Sequence, residues 1–180
     1  MYYYFKTYII GKKGVGKFTF AKSCSLMFDA EDRGLTSGVY YRFYDYFYNP
    51  ANRERFARFA IWVQNPGERF KFFMSSYIIG SNAILIMFDI SDQTSLDEID
   101  DWMSVINGYR RSFGYAPIML LGNKADLTEH LASSKILADS IVKKYSLTGY
   151  YEISAFETKD IESIFAELTN LLFKKHGFTR

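Results

Sequence analysis

Apolar positions along the chain fall into short blocks whose period changes repeatedly from two to about 3.6, the signature of strands alternating with amphipathic helices. Residues 2 to 10, "YYYFKTYII", alternate as a strand, a glycine-rich turn spans Gly11 to Gly16, and Lys17 to Phe28 read as a helix. "VYYRFYDYFYN" and "RFARFAIWV" are two aromatic strands, and "NPANR" between them has the chemistry of a hairpin loop, so they pair antiparallel at a sheet edge. A short helix from Arg69 to Ile79, the strand "AILIMFDI", a helix from Ser95 to Phe113 with Asp97 and Glu98 in its first turn, and the strand "IMLLG" follow. A helix from Ser133 to Tyr145, the strand "YYEIS" and a helix from Thr158 to Lys175 complete the order β-α-β-β-α-β-α-β-α-β-α. Strands apolar on both faces, such as "AILIMF" and "IMLLG", belong inside a mostly parallel sheet covered by helices on both faces. In such α/β sheets ligands sit at the carboxyl ends of the strands.

Composition narrows the class. The 180 residues, 48% of them apolar and with 17 Phe and 15 Tyr, fit one domain over 1–180 with no linker or repeat. Net charge is +2, and the basic residues lie scattered as pairs rather than in a patch, which argues against nucleic-acid binding. The single cysteine, Cys24, excludes an internal disulfide and suits a small core position in a reducing, cytoplasmic setting. "MYYYFKTYII" has no signal-peptide character, no apolar run approaches a bilayer span, and the last ten residues hold no cysteine for prenylation. The sequence thus predicts no intrinsic lipid anchor, and membrane contact only through a partner.

The candidate chemistry lies in two loops. Gly11, Gly14 and Gly16 sit between a strand and a helix, where successive backbone N–H groups converge on a concavity suited to phosphate. Together with Lys17 they fit the first seven positions of G-x-x-x-x-G-K-[ST], in which the lysine reaches the outer phosphates and the hydroxyl ligates Mg²⁺. Phe18 stands where that hydroxyl belongs, and Thr19 lies about 100° further around the helix, so one protein ligand for magnesium is missing. The second loop, "GNKAD" (122–126), follows the strand "IMLLG". The Asp126 carboxylate there can accept two parallel hydrogen bonds from guanine N1–H and N2–H, which adenine cannot supply. Asn123 would tie this loop to the phosphate loop and reach the base edge, and the Lys124 stem would cover the sugar.

These two motifs, at this separation and strand order, resemble the Ras-like small GTPases over nearly the whole chain, the Rab branch most closely. "TSGV" (36–39), "GERF" (67–70), "SSYIIG" (75–80) and "ISA" (153–155) are similar to the family's "TIGV", "ERF" ending, "SSYYRG" and "TSA". The resemblance implies a P-loop NTPase, small GTPase fold: a six-stranded, mostly parallel sheet with one antiparallel edge strand and about five helices. It implies binding of GTP or GDP through Gly14, Val15, Gly16, Lys17, Phe18 and Thr19. Thr36 would meet the γ-phosphate and Mg²⁺, and Ser154 and Ala155 would offer backbone contacts to guanine O6. Tyr41, Trp62 and Tyr77 match the aromatic triad that Rab proteins present to protein effectors, and equally suit ordinary packing.

The family's "WDTAGQERF" becomes "WVQNPGERF" here. Val63 replaces the aspartate that holds a magnesium-bound water, Pro66 has no N–H to offer the γ-phosphate, and Gly67 stands where the water-orienting glutamine belongs. Phe156 replaces the lysine of the "SAK" loop and keeps a face that can stack on a base. The expectation is a divergent GTP-binding protein with weak or absent Mg²⁺ dependence, very slow or absent hydrolysis and no catalytic residue. It would regulate trafficking or signalling through effectors. The alternative is a nucleotide-free pseudo-GTPase that serves as an interaction module, with the Phe18 ring folded into the phosphate or metal position. A nucleotide kinase would account for Lys17 and leave "GNKAD" without a purpose.

Overall fold

A computed structural model describes residues 2–25, 39–49, 56–64, 73–114, 116–127 and 132–178. Six strands form one sheet in the order β2-β3-β1-β4-β5-β6. They are β1 (Tyr2–Ile10), β2 (Val39–Tyr46), β3 (Phe56–Gln64), β4 (Ala83–Asp89), β5 (Ile118–Asn123) and β6 (Gly149–Glu152). Neighbours run parallel except β2, which pairs antiparallel with β3 from Val39↔Gln64 to Tyr46↔Ala57 and forms one edge. Every residue of β4 and β5 is buried, as the two-sided apolar runs require.

Six α-helices are seen among the described residues: α1 (Lys17–Ser25), α2 (Met74–Ile78), α3 (Ile99–Gly108), α4 (Arg110–Phe113), α5 (Ala132–Tyr145) and α6 (Thr158–His176). Phe20, Ala21 and Cys24 of α1, with Ile164, Phe165, Leu168 and Leu172 of α6, close one face of the sheet over Phe5, Ile9, Phe59 and Leu85. Met74 and Ile78 of α2, Trp102, Met103 and Ile106 of α3, and Ala138 and Ile141 of α5 close the other over Tyr8, Ile84, Ile86 and Leu120. Cys24 is a free thiol in the first of these layers, and burial pushes its pKa up.

One expected helix divides. The stretch from Ser95 to Phe113 is a 3₁₀ turn (Gln93–Leu96) followed by α3 and the one-turn α4. The Asp92 carboxylate caps the 3₁₀ turn at Thr94 N–H, and the Ser95 hydroxyl bonds both N–H and C=O of Asp89, which holds this turn against the end of β4. Asp97 and Glu98 therefore precede α3, whose first turn carries Asp100 and Asp101 instead. The second break falls at Tyr109, with φ −108° and ψ 8°, directly after Gly108. Residues 26–28 of the first expected helix, 69–72 of the second, the loop 50–53, and Thr36, Pro66 and Gly67 lie outside the described residues.

Parallel register brings the carboxyl ends of β1, β4, β5 and β6 to one side, with Ile10 opposite Ile86, Asp89 opposite Asn123 and Gly122 opposite Glu152. The chain segments that leave these ends carry the "GKKGVGK", "GNKAD" and "ISAF" loops.

Candidate nucleotide site

The first loop turns sharply out of β1. Gly11 has φ +156°, and a Cβ there would collide with the Met87 carbonyl oxygen, so the loop lies directly against β4. Gly16 has φ +99°, and its missing Cβ leaves the space that the Asn123 side-chain amide occupies. Val15 is buried between these two glycines, while Gly14 faces open space.

Lys17 opens α1 and is only 3% exposed. Its ammonium donates to the carbonyl oxygens of Gly11 and, at 2.8 Å, of Lys12, so the loop is wrapped around its own lysine. Burial pushes the Lys17 pKa down to about 8, with the Glu98 carboxylate opposing the shift. Lys12 leaves the loop and donates to the Thr94 carbonyl at 2.9 Å, which fastens the phosphate loop to the 3₁₀ turn. Beyond its place in the loop, no sequence feature singles it out.

Asn123 joins all three loops. It is 2% exposed; its Nδ2 donates to the Val15 carbonyl at 2.8 Å, and its Oδ1 accepts from Ala155 N–H at 2.8 Å. Lys124 adopts φ +69°, a left-handed conformation uncommon outside glycine, and its ammonium pairs with Asp89 Oδ2 at 2.5 Å. Burial acts to raise the Asp89 pKa, but hydrogen bonds from Lys124 and Ser91 outweigh it and hold the carboxyl below its ordinary value. Asp126 lies in a 3₁₀ turn (Ala125–Leu127), exposed and without a hydrogen bond or ion pair among the described residues.

The third loop differs from the arrangement that the resemblance implies. Ser154 N–H donates to Asp160 Oδ2 at 2.8 Å and Ala155 N–H to Asn123, so both N–H groups assigned to guanine O6 are engaged within the protein. Phe156 N–H has only a 3.3 Å contact with Ser154 Oγ, and the Phe156 ring is 75% exposed. Asp160 was missed by the sequence reading; an acid in the first turn of a helix directly after a binding loop is the signal that could have found it.

The corner beside Lys17 is apolar. The Phe18 ring is half-buried against the α1/α6 core layer, with its centroid 5.4 Å from that of Tyr40 at the start of β2. The Arg42 guanidinium lies 4.6 Å from the centroid of the Tyr40 ring, which is tilted against that of Phe18. Val63 is fully buried in the same layer as Val15, and Thr19 is half-buried on α1. No group of three or more His, Cys, Asp or Glu able to hold a metal is found among the described residues.

Tyr41, Trp62 and Tyr77 come together at half-buried positions. Tyr41 and Trp62 are cross-strand partners with centroids 6.2 Å apart, and Tyr77 lies 6.3 Å from Trp62. Lys6 sits 4.6 Å from the Trp62 ring and donates to the Ile79 carbonyl at 2.8 Å, linking β1 to the end of α2.

A parallel six-stranded sheet with one antiparallel edge, a glycine loop wrapped on a lysine, and an Asn-Lys-x-Asp loop tied to it define a nucleotide-binding class of fold. Comparison with known proteins is more specific: the Ras family model matches residues 6–174. The chain is 30% identical over 172 residues to the Ras-related protein RABD2a of Arabidopsis thaliana, covering 93% of this chain and 79% of that protein. It is 31% identical over 168 residues to the Ras-related protein RIC1 of Oryza sativa subsp. japonica (91% and 77%), and 27% identical over 179 residues to the GTP-binding protein ypt1 of Schizosaccharomyces pombe (97% and 83%). The chain belongs to the Ras family and is a Rab-like small GTPase. No helix among the described residues is long and apolar enough to cross a membrane.

Of the positions where this family holds the magnesium ion that accompanies nucleotide, two are described here, Phe18 and Val63, and Thr36 lies outside the described residues. Phe18 and Val63 offer no oxygen, and both side chains pack into the core layer.

Proposed function

We propose that this protein binds GTP and GDP with little help from magnesium, hydrolyses GTP very slowly or not at all, and acts through protein effectors in trafficking or signalling. The observation that carries the reading is Asn123, whose single side chain fastens the phosphate loop at Val15, the base loop it belongs to, and the third loop at Ala155. Such a clasp fixes the distance between a phosphate cradle and a base-reading acid before any ligand arrives, which lowers the ordering cost of binding. In this reading Gly14, Val15, Gly16, Lys17, Phe18 and Thr19 line the phosphate end, and Asn123, Lys124, Asp126, Ser154, Ala155 and Phe156 the base end. The exposed Asp126 carboxylate selects guanine by two parallel hydrogen bonds. Phe156 stacks on the base from outside. Contact of guanine O6 with the third loop requires Ala155 N–H to be shared with Asn123 Oδ1 or released by it.

Three replacements in the sequence support slow hydrolysis. Phosphoryl transfer relies on positioning and charge stabilisation, and Val63, Pro66 and Gly67 remove the water-holding acid, the γ-phosphate-sensing N–H and the water-orienting glutamine. An intact family member without an activator turns over at roughly 10⁻⁴ per second, and each further loss of about 1.4 kcal/mol takes a factor of ten. Effector contact is assigned to Tyr41, Trp62 and Tyr77, whose rings form a continuous, half-exposed surface.

The second reading, a nucleotide-free interaction module, is favoured by one observation: the N–H groups of Ser154 and Ala155 are already satisfied internally. Against it, the Phe18 ring packs on Tyr40 and the core layer while Gly14 stays open. Denaturing the protein as purified and separating the released small molecules by chromatography distinguishes the two. Guanine nucleotide in near-stoichiometric yield is expected; its absence, together with no uptake on soaking in GDP, would establish the module instead.

A further inference from the structure

The phosphate loop "GKKGVGK" carries three lysines and no acid. Two of the three are committed: the Lys12 ammonium is held at the Thr94 carbonyl, and the Lys17 ammonium is enclosed by the Gly11 and Lys12 carbonyls. Lys13 is exposed in the turn at the loop's tip and makes no hydrogen bond or ion pair with the described residues. It directly precedes Gly14, where, chain neighbours apart, nothing lies within 4 Å of a Cβ position, so the tip of the loop is open to a ligand. Next to Lys17, Phe18 stands where the metal-binding hydroxyl belongs and Val63 where the acid belongs, and both side chains pack into the core layer without offering an oxygen.

A polyphosphate brings several negative charges that must be balanced, and one enclosed lysine balances only part of them. We infer that Lys13 supplies the second cation, so that this site neutralises the outer phosphates of a guanine nucleotide with two lysines in place of one lysine and a metal ion. The inference rests on the nucleotide-binding reading above. A lysine is a compact point charge with three donors on a flexible stem, and it follows a phosphate without the fixed octahedral geometry that magnesium demands. It therefore suits a loop whose neighbouring ligands are gone. The exposed position also means that the lysine costs little to hold in the empty protein, so the charge is present before the ligand arrives.

The test is titration of the nucleotide-stripped protein with GDP and with GTP, in excess chelator and in excess magnesium, for wild type, Lys13→Ala, Lys13→Arg and Lys22→Ala. Lys22 is an exposed lysine on α1 and serves as the control for general surface charge. Wild type is expected to bind equally with and without magnesium, to within about threefold. Lys13→Ala is expected to lose about tenfold in chelator, the size of one hydrogen bond to a charged group, while Lys13→Arg and Lys22→Ala stay near wild type. Lys13→Ala binding like wild type, or no worse than Lys22→Ala, would overturn the inference, as would a wild type that binds only when magnesium is added. A wild type that binds neither nucleotide under either condition refutes the nucleotide reading itself, and the role of Lys13 with it. Thermal melting of each empty variant checks the fold, which substitution at an exposed, unbonded residue is expected to leave intact.

Discussion

Truncating Asn123 to alanine tests the clasp between the three loops directly. The side chain is 2% exposed and makes two hydrogen bonds of 2.8 Å, one donated to the Val15 carbonyl and one accepted from Ala155 N–H. Alanine leaves both backbone groups buried without a partner. Each orphan costs about 1–3 kcal/mol, so the pair together costs about 2–6 kcal/mol, against a total stability of about 5–15 kcal/mol for a domain of ordinary size. Urea unfolding of the nucleotide-free protein measures the loss as a lower midpoint with an unchanged slope. Asn123→Asp sharpens the test. It keeps an acceptor for Ala155 but sets a carboxylate oxygen against the Val15 carbonyl. This raises the folded pKa of the new acid above its unfolded value, so the variant regains stability as pH falls through the folded pKa and the protonated carboxyl donates to Val15. A loss under about 1 kcal/mol for Asn123→Ala would refute the clasp, because a side chain with two buried partners cannot be removed so cheaply.

Lys17 has a folded pKa of about 8, below the ordinary lysine value of 10.5, so folding favours its neutral form, and the empty protein gains stability as pH rises from about 8 towards 10.5. Phosphate needs the charged form. With about a tenth of the empty protein still charged one unit above that pKa, GDP affinity by titration falls about tenfold between pH 7 and 9, and a flat profile would contradict this. Gly11→Ala forces a Cβ into the Met87 carbonyl, and the expected loss is about 3 kcal/mol by thermal or urea denaturation; an unchanged midpoint would show that the loop does not lie against β4. Phe18→Ser replaces a ring packed on Tyr40 by a hydroxyl next to Lys17. Magnesium is expected to tighten GDP binding by about tenfold or more in that variant and not in wild type, and the absence of any difference would place the loss of metal dependence elsewhere.

The alternation of periods made the succession of strands and helices along the chain and the antiparallel edge legible, because β4 and β5 are apolar on both faces and β2 and β3 are not. The division of the Ser95–Phe113 stretch was not legible. Acidic residues at 97 and 98 look like a helix start on composition alone, and the tie that holds the 3₁₀ turn to the sheet is the Ser95 hydroxyl gripping Asp89, six residues away in a strand. In the site, the glycines announced themselves, since a positive φ or a close backbone approach leaves few other choices. The engagement of the third loop did not, because it depends on Asp160 and Asn123 reaching N–H groups on another segment, and no local pattern encodes such a reach. The pairing of Phe18 with Tyr40 was equally hidden. The sequence declared a missing hydroxyl, and only the approach of β2 to α1 says where the ring goes.

Calorimetric titration of the nucleotide-stripped protein with GTP, GDP and ATP tests the central claim most directly, since the account turns on the Asp126 carboxylate choosing guanine in a cradle that Asn123 assembles. GTP and GDP are expected to bind at least about a hundredfold more tightly than ATP, the penalty of facing a charged acceptor with a base that has no paired donors. Equal affinity for ATP and GTP would contradict it.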